Sequence, residues 1–227
     1  MTQIADGLAR VRTRIRAAEE RFGRPTGSVE LLAVSKTKPA AAVREALAAG
    51  QFAFGENYVQ DARDKQEVLD PCEAHWHFIG PLQSNKTKVV AAHFDWVHSV
   101  EREKIARRLS EQRPEALPPL NVCIQVNVSD ESSKSGLLPA DAAALAQTVA
   151  TLPNLRLRGL MCIPAPAEDF HDQRAPFRQL RELQEQLVRD GLHLDTLSMG
   201  MSADLEAAIA EGSTMVRVGT DIFGARD

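Results

Sequence analysis

At 227 residues the chain is long for one ordinary domain and short for two, and 44% hydrophobic with 26% charged residues is an average globular composition that excludes global disorder. A net charge of −4 excludes a general electrostatic affinity for nucleic acid or an anionic membrane, and no run approaches the roughly 20 apolar residues of a membrane span. Cys72, Cys123 and Cys162 are odd in number and far apart, which predicts reduced core thiols and a cytosolic protein rather than a disulfide framework.

The first 22 residues read as an amphipathic helix, with Leu8, Val11, Ile15 and Phe22 among Arg10, Arg12, Arg14 and Arg16. The stretch lacks the apolar run of a signal peptide, and Asp6, Glu19 and Glu20 argue against a transit peptide. From there β-rich runs alternate with helical ones. Strands are predicted at residues 29–35, 51–55, 75–80, 96–100, 120–128, 155–163, 194–199 and 214–219. Helices are predicted between them at 40–49, 57–70, 84–92, 101–112, 139–152, 172–190 and 202–211. Strict alternation is the signature of a parallel sheet, and eight such units favour a single α/β domain over residues 1–227, a closed (β/α)8 TIM barrel with an extra N-terminal helix. The proline clusters at 114–119 and 164–176 read as surface loops, not linkers.

In such a barrel the carboxyl ends of the strands carry the chemistry, because all the βα loops converge there. Lys36 directly follows the apolar run Leu31-Leu32-Ala33-Val34, where an ammonium is expensive to place. A desolvated lysine has a lowered pKa and condenses with aldehydes and ketones, although Lys36 could equally leave the strand into water as Lys38 does. The loops after strands seven and eight are where barrels build phosphate sites. Ser198-Met199-Gly200-Met201-Ser202 offers two hydroxyls and a glycine before a helix, and Gly219-Thr220 offers another glycine and hydroxyl. Ordinary turn chemistry explains either loop singly. A phosphorylated aldehyde joins both loops with Lys36, expected across the barrel. Arg217, two residues before Gly219, points inward by alternation and needs either a carboxylate or the ring nitrogen of a pyridine as partner.

These residues resemble the pyridoxal phosphate homeostasis protein family, itself similar to the N-terminal barrel of alanine racemase. The resemblance covers essentially the whole chain. It rests on Leu32-Ala33-Val34-Ser35-Lys36-Thr37-Lys38-Pro39, Phe54-Gly55-Glu56-Asn57-Tyr58-Val59-Gln60 and His77-Phe78-Ile79-Gly80-Pro81-Leu82-Gln83-Ser84-Asn85-Lys86. It continues through Val126-Asn127-Val128, Lys134-Ser135-Gly136, Leu157-Arg158-Gly159-Leu160-Met161, Leu197-Ser198-Met199-Gly200-Met201-Ser202 and Val216-Arg217-Val218-Gly219-Thr220. The resemblance implies pyridoxal 5′-phosphate (PLP) held as a Schiff base on Lys36. It implies that Ser202, Gly219 and Thr220 hold the phosphate, that Arg217 faces the ring nitrogen, and that Asn57 and Met199 lie beside the cofactor.

An arginine cannot give its proton to the pyridine nitrogen, so the ring stays a weak electron sink. The related racemase resembles a two-base catalyst that draws a tyrosine from a second domain, whereas this chain ends soon after strand eight and has one tyrosine, Tyr58. The expectation is a monomeric carrier serving PLP homeostasis, with PLP-dependent apo-enzymes as its partner class and no robust amino-acid turnover. Two other classes remain: a slow PLP-dependent racemase using Tyr58 or His77 as second base, and a colourless Schiff-base aldolase without cofactor. His75 and His77 share a strand face but no third ligand follows at useful spacing, so packing or a loop hydrogen bond is expected and no metal. The charged runs 101–108 and 174–189 read as solvated helix faces.

Overall fold

The computed structural model describes residues 2–69, 71, 73–129 and 135–224; Cys72 and Lys134 lie outside the described residues. Helix α1, Gln3–Arg21, opens with the Thr2 hydroxyl accepting from the Ala5 amide, which satisfies one orphan donor of the first turn. Its Leu8, Val11, Ile15 and Ala18 recur at helical spacing and are all buried, so α1 lies against the barrel. Strands β1 Glu30–Val34, β2 Ala53–Glu56, β3 His75–Phe78 and β4 Trp96–Val100 follow, alternating with α2 Ala40–Ala48, α3 Val59–Leu69 and α4 Thr87–His93. The second half runs α5 Glu103–Gln112, β5 Leu120–Gln125, α6 Pro139–Ala150, β6 Leu155–Met161, α7 Phe170–Arg189, β7 Thr196–Ser198, α8 Leu205–Ala210, β8 Met215–Val218 and α9 Thr220–Phe223. All eight strands pair in parallel in sequence order, and β8 closes on β1 with Leu32 opposite Arg217.

Outward residues such as Phe54, Phe78, Val97, Ile124 and Val216 fill the layer between strands and helices, the larger of the two cores. The smaller core inside the barrel contains Leu32, Ala53 and Met215 with Ile79 against them. The inward faces of β3, β4, β7 and β8 are polar instead, bearing His77, His98, Ser198 and Arg217, all buried. Burying such groups is tolerable only when their hydrogen bonds are met, and a continuous network meets them as described below.

Four differences from the sequence expectation have identifiable causes. Strand β5 stops at Gln125 because the next backbone groups pair with a returning loop: Leu137 N–H donates to Gln125 O and Asn127 N–H donates to Leu137 O. Helix α7 starts at Phe170 and includes Pro176, read from sequence as loop; the Asp169 carboxylate caps the His171 and Asp172 amides, and Phe177 and Leu180 bury behind the proline. Helix α9 is only four residues long, too short for periodicity to reveal. The charged face of α7 is not merely solvated: Arg174 and Arg178 reach Glu211 at 2.7 and 3.1 Å, and Glu211 is 1% exposed. Burial pushes the Glu211 carboxyl up, but bonds from Arg178 and Arg174 outweigh it and hold the carboxyl below its ordinary range. Cys123 and Cys162 are both buried, and neither forms a disulfide among the described residues.

Candidate functional site at the barrel mouth

Closure of the barrel decides which strand ends are neighbours. Because β8 pairs with β1 and β1 with β2, the ends of β7, β8, β1 and β2 form one continuous arc. Lys36 therefore stands beside Gly219 and Thr220, not across the barrel from them as the sequence suggested. A Cβ on Gly219 would lie 3.1 Å from the Val34 carbonyl oxygen, which measures how closely the two strand ends approach.

On β1 the alternation sends Leu32 inward to the smaller core and Ala33 outward to the larger one, so Lys36 continues the inward series. The lysine is half-buried, and the turn around it closes through the Lys38 amide donating to the Ser35 carbonyl at 3.0 Å. Thr37, the third residue of that turn, has φ +64°, a left-handed conformation uncommon for a β-branched residue. Asn57 follows β2; its Oδ1 is buried without a hydrogen-bond partner among the described residues. Gly80, after β3, lets the chain pass against Asn57: a Cβ there would sit 2.3 Å from the Asn57 carbonyl oxygen.

The loop after β7 turns sharply at Gly200, with φ +97° and Ala208 Cβ 2.6 Å from where its own Cβ would be, so glycine is required twice over. Met199 is fully buried within the outer core, so any contact it makes with a bound group runs through its backbone. Ser202 was expected to begin the next helix; it instead lies in a turn before α8, where the Asp204 carboxylate accepts from the Met201 amide and starts the helix later. Gly219 caps α9 and Thr220 is its exposed first residue; the Ile222 and Phe223 amides donate to the Gly219 carbonyl, while the Gly219, Thr220 and Asp221 amides at the head of the turn have no acceptor within it, the usual basis of anion binding at barrel mouths.

Arg14, expected only as part of an Arg-rich helix face, ties the two loops together. Its Nη2 donates to Ser202 O at 2.9 Å and to Glu206 at 3.0 Å, its Nε donates to the other Glu206 oxygen at 2.9 Å, and its Nη1 donates to Asp221 at 2.7 Å.

Arg217 is 4% exposed and satisfied without a carboxylate: Nη1 donates to Ser198 O at 2.6 Å and Ser198 Oγ at 2.9 Å, and Nη2 to Cys162 O at 2.8 Å. Three of its N–H groups are used among the described residues, which leaves two for another acceptor. Ser198 Oγ, which accepts from Arg217, lies 2.8 Å from His98 Nδ1, and His98 Nε2 lies 2.9 Å from His77 Nδ1, two hydrogen bonds whose donors follow the tautomer of each ring. Burial lowers both histidines, His77 to about 3 and His98 well below its ordinary value, so both are neutral. The sequence predicts core packing or a loop hydrogen bond for His77; its partner is instead His98 on strand β4, a residue not singled out from the sequence. The inward spacing of Trp96 and His98 on β4, matching His75 and His77 on β3, was the available signal.

A cavity of about 350 Å³ opens at the opposite end of the barrel, lined by Arg12, Ile15, Glu30, Gln51, Phe52 and His75. It lies at the amino ends of the strands, the end of such barrels associated with stability rather than with chemistry.

The fold and the mouth together define a lysine-bearing (β/α)8 barrel of the type that begins alanine racemase, and residues 7–227 match the family model described as alanine racemase, N-terminal domain. More narrowly, the chain belongs to the pyridoxal phosphate homeostasis protein family. It is 63% identical over 227 residues to the protein of that name from Pseudomonas aeruginosa, covering 100% of this chain and 97% of the relative. The Escherichia coli protein of the same name is 58% identical over 230 residues, covering 100% and 98%. PipY of Synechococcus elongatus, solved with PLP bound, is 41% identical with a TM-score of 0.85, covering 97% of this chain and 100% of PipY. Alanine racemase from Corynebacterium glutamicum, 17% identical with a TM-score of 0.70, covers 99% of this chain with 60% of its own and shares the fold.

Proposed function

We propose that this chain binds PLP at the barrel mouth, carries it as a Schiff base on Lys36, and serves intracellular PLP homeostasis without turning over amino acids. The observation that carries the reading is the adjacency of an inward lysine at the end of β1 with the glycine- and hydroxyl-bearing loops after β7 and β8. The residues suit a phosphorylated pyridine aldehyde. Ser202, Gly219 and Thr220 would hold the phosphate through hydroxyls and amides, Arg217 would donate one of its remaining N–H groups to the ring nitrogen, and the buried Asn57 Oδ1, without a partner among the described residues, would give the ring a polar neighbour. Met199 would contribute through its backbone. When bound, the cofactor would supply an aldehyde with which Lys36 Nζ could condense, the carbonyl oxygen and two hydrogens of the amine leaving as water.

The family's name and PLP-bound PipY support the cofactor. A carrier is favoured over a catalyst by the side chains around the mouth. Arg217 keeps its proton and leaves the ring nitrogen unprotonated. His77 is 1% exposed, neutral and bonded to His98, and Tyr58 is 61% exposed, so neither is held ready as a second base. PLP-dependent apo-enzymes in the cytoplasm are the class of recipient this role implies, and a single-domain monomer suffices for it.

The test is borohydride reduction of the PLP-treated protein followed by peptide mass spectrometry. A reduced pyridoxyl adduct on Lys36, lost in Lys36→Ala, is expected; an adduct persisting on the same peptide of the variant overturns the assignment.

A further inference from the structure

Both neighbours of Lys36 in the chain are gripped from behind. Lys65, on α3 and 3% exposed, spends all three of its ammonium hydrogens within the described residues: 2.7 Å to Ser35 O, 2.7 Å to Glu56 Oε1 and 3.1 Å to Asp61 Oδ2. Glu56 Oε1 also accepts from the Ser35 hydroxyl at 2.6 Å, and Asp61 Oδ2 accepts from the Thr37 amide at 3.0 Å. The network occupies the outer side of β1 and β2, where Phe54 and Ala33 face the helices, whereas Lys36 belongs to the inward series. Thr37 sits at the turn position that positive φ reserves for glycine or asparagine, so without external restraint a threonine there would drift toward an extended or right-handed conformation.

We propose that Asp61 and Lys65 are positioning residues for Lys36: they hold Ser35 and the left-handed Thr37 from outside the barrel and so aim the lysine into the mouth. The proposal rests on the reading of Lys36 as the PLP-bearing amine. A buried ion pair adds little net stability when compared with a well-packed apolar pair. A role in orienting an amine gives this one a reason to be where it is. Strain at Thr37 is then the means by which the turn presents Lys36 inward, and the Asp61 bond is what keeps the turn from relaxing.

Asp61 offers the cleaner test, because its side chain is one-third exposed and its replacement strands no buried charge other than through Lys65, which keeps Glu56. PLP affinity is measured by absorbance titration, with the borohydride adduct on Lys36 and the circular dichroism of each protein recorded alongside. Asp61→Ala is expected to weaken PLP binding about tenfold, while Asp61→Asn, which retains an acceptor for the Thr37 amide, stays within about twofold. Adding Thr37→Gly, for which positive φ is unstrained, is expected to cut the cost of Asp61→Ala to less than about threefold. Equal affinities of Asp61→Ala and the wild type, equal losses in the alanine and asparagine variants, or an undiminished loss in the Thr37→Gly background would each overturn the proposal. A wild-type protein that gives no adduct on Lys36 would instead overturn the functional reading itself, and this proposal with it.

Discussion

Arg217 is a donor with no acceptor capacity, and that one chemical fact orders the barrel interior. Its bond to Ser198 anchors a hydrogen-bonded chain that runs through His98 to His77, and burial keeps both imidazoles neutral. A histidine whose folded pKa is depressed contributes stability that is complete above its unfolded value of about 6.5 and is lost as pH falls toward the folded value. Glu56 works in the opposite sense: burial, only partly offset by Lys65 and Ser35, pushes it up to about 7, so the folded protein takes up that proton first. Below about pH 6.5 the unfolded chain gains two protons against one for the folded chain, and stability is expected to fall by about 1.4 kcal/mol per pH unit. Denaturant melts between pH 7.5 and pH 5 measure this directly, and stability that rises on acidification would contradict the assignment of two neutral histidines.

At the scale of elements, α1 is the brace of the loops proposed to hold phosphate. Arg14 bridges the loop after β7 and the turn α9 after β8, although 192 residues separate it from Glu206. The pairs are about one-third exposed, so their worth to global stability is small, about 1 kcal/mol. Their effect on the relative placement of Ser202 and Thr220 is expected to be larger. Arg14→Met should weaken PLP binding about fivefold while lowering the melting temperature by only a few degrees. Unchanged affinity in an absorbance titration would show that the loops need no brace. Elements also show where reading the chain alone falls short. Strand β4 was placed to the residue because Trp96–Val100 is a short β-rich run. The β-rich run 120–128 extends three residues beyond β5, because only the fold shows that Leu137 returns to occupy the backbone of Gln125 and Asn127.

Across the whole molecule, catalytic restraint follows from what surrounds the mouth. In the proposed reading, an unprotonated ring nitrogen facing Arg217, a sequestered His77 and an exposed Tyr58 would give no efficient proton transfer at an amino-acid α-carbon. The PLP-loaded protein is expected to exchange the α-proton of alanine far more slowly than about 1 per second, an ordinary enzyme's scale. Deuterium exchange followed by NMR checks this, and exchange at that scale would restore the racemase reading.

The sequence alone determined the parallel alternation, the eight strands, the placing of Lys36, Asn57, Ser202, Arg217, Gly219 and Thr220 at strand ends, and the family resemblance, because those depend on periodicity and short local motifs. Only the tertiary structure decided that β1 stands beside β8, that Met199 turns its side chain into the core, and that Arg14, Asp61, Lys65 and His98 reach Ser202, Thr37, Ser35 and Ser198 from other elements. The reason is distance along the chain. His98 meets Ser198 across 100 residues, and no local pattern encodes which of two inward polar side chains will share a hydrogen bond once the barrel has closed.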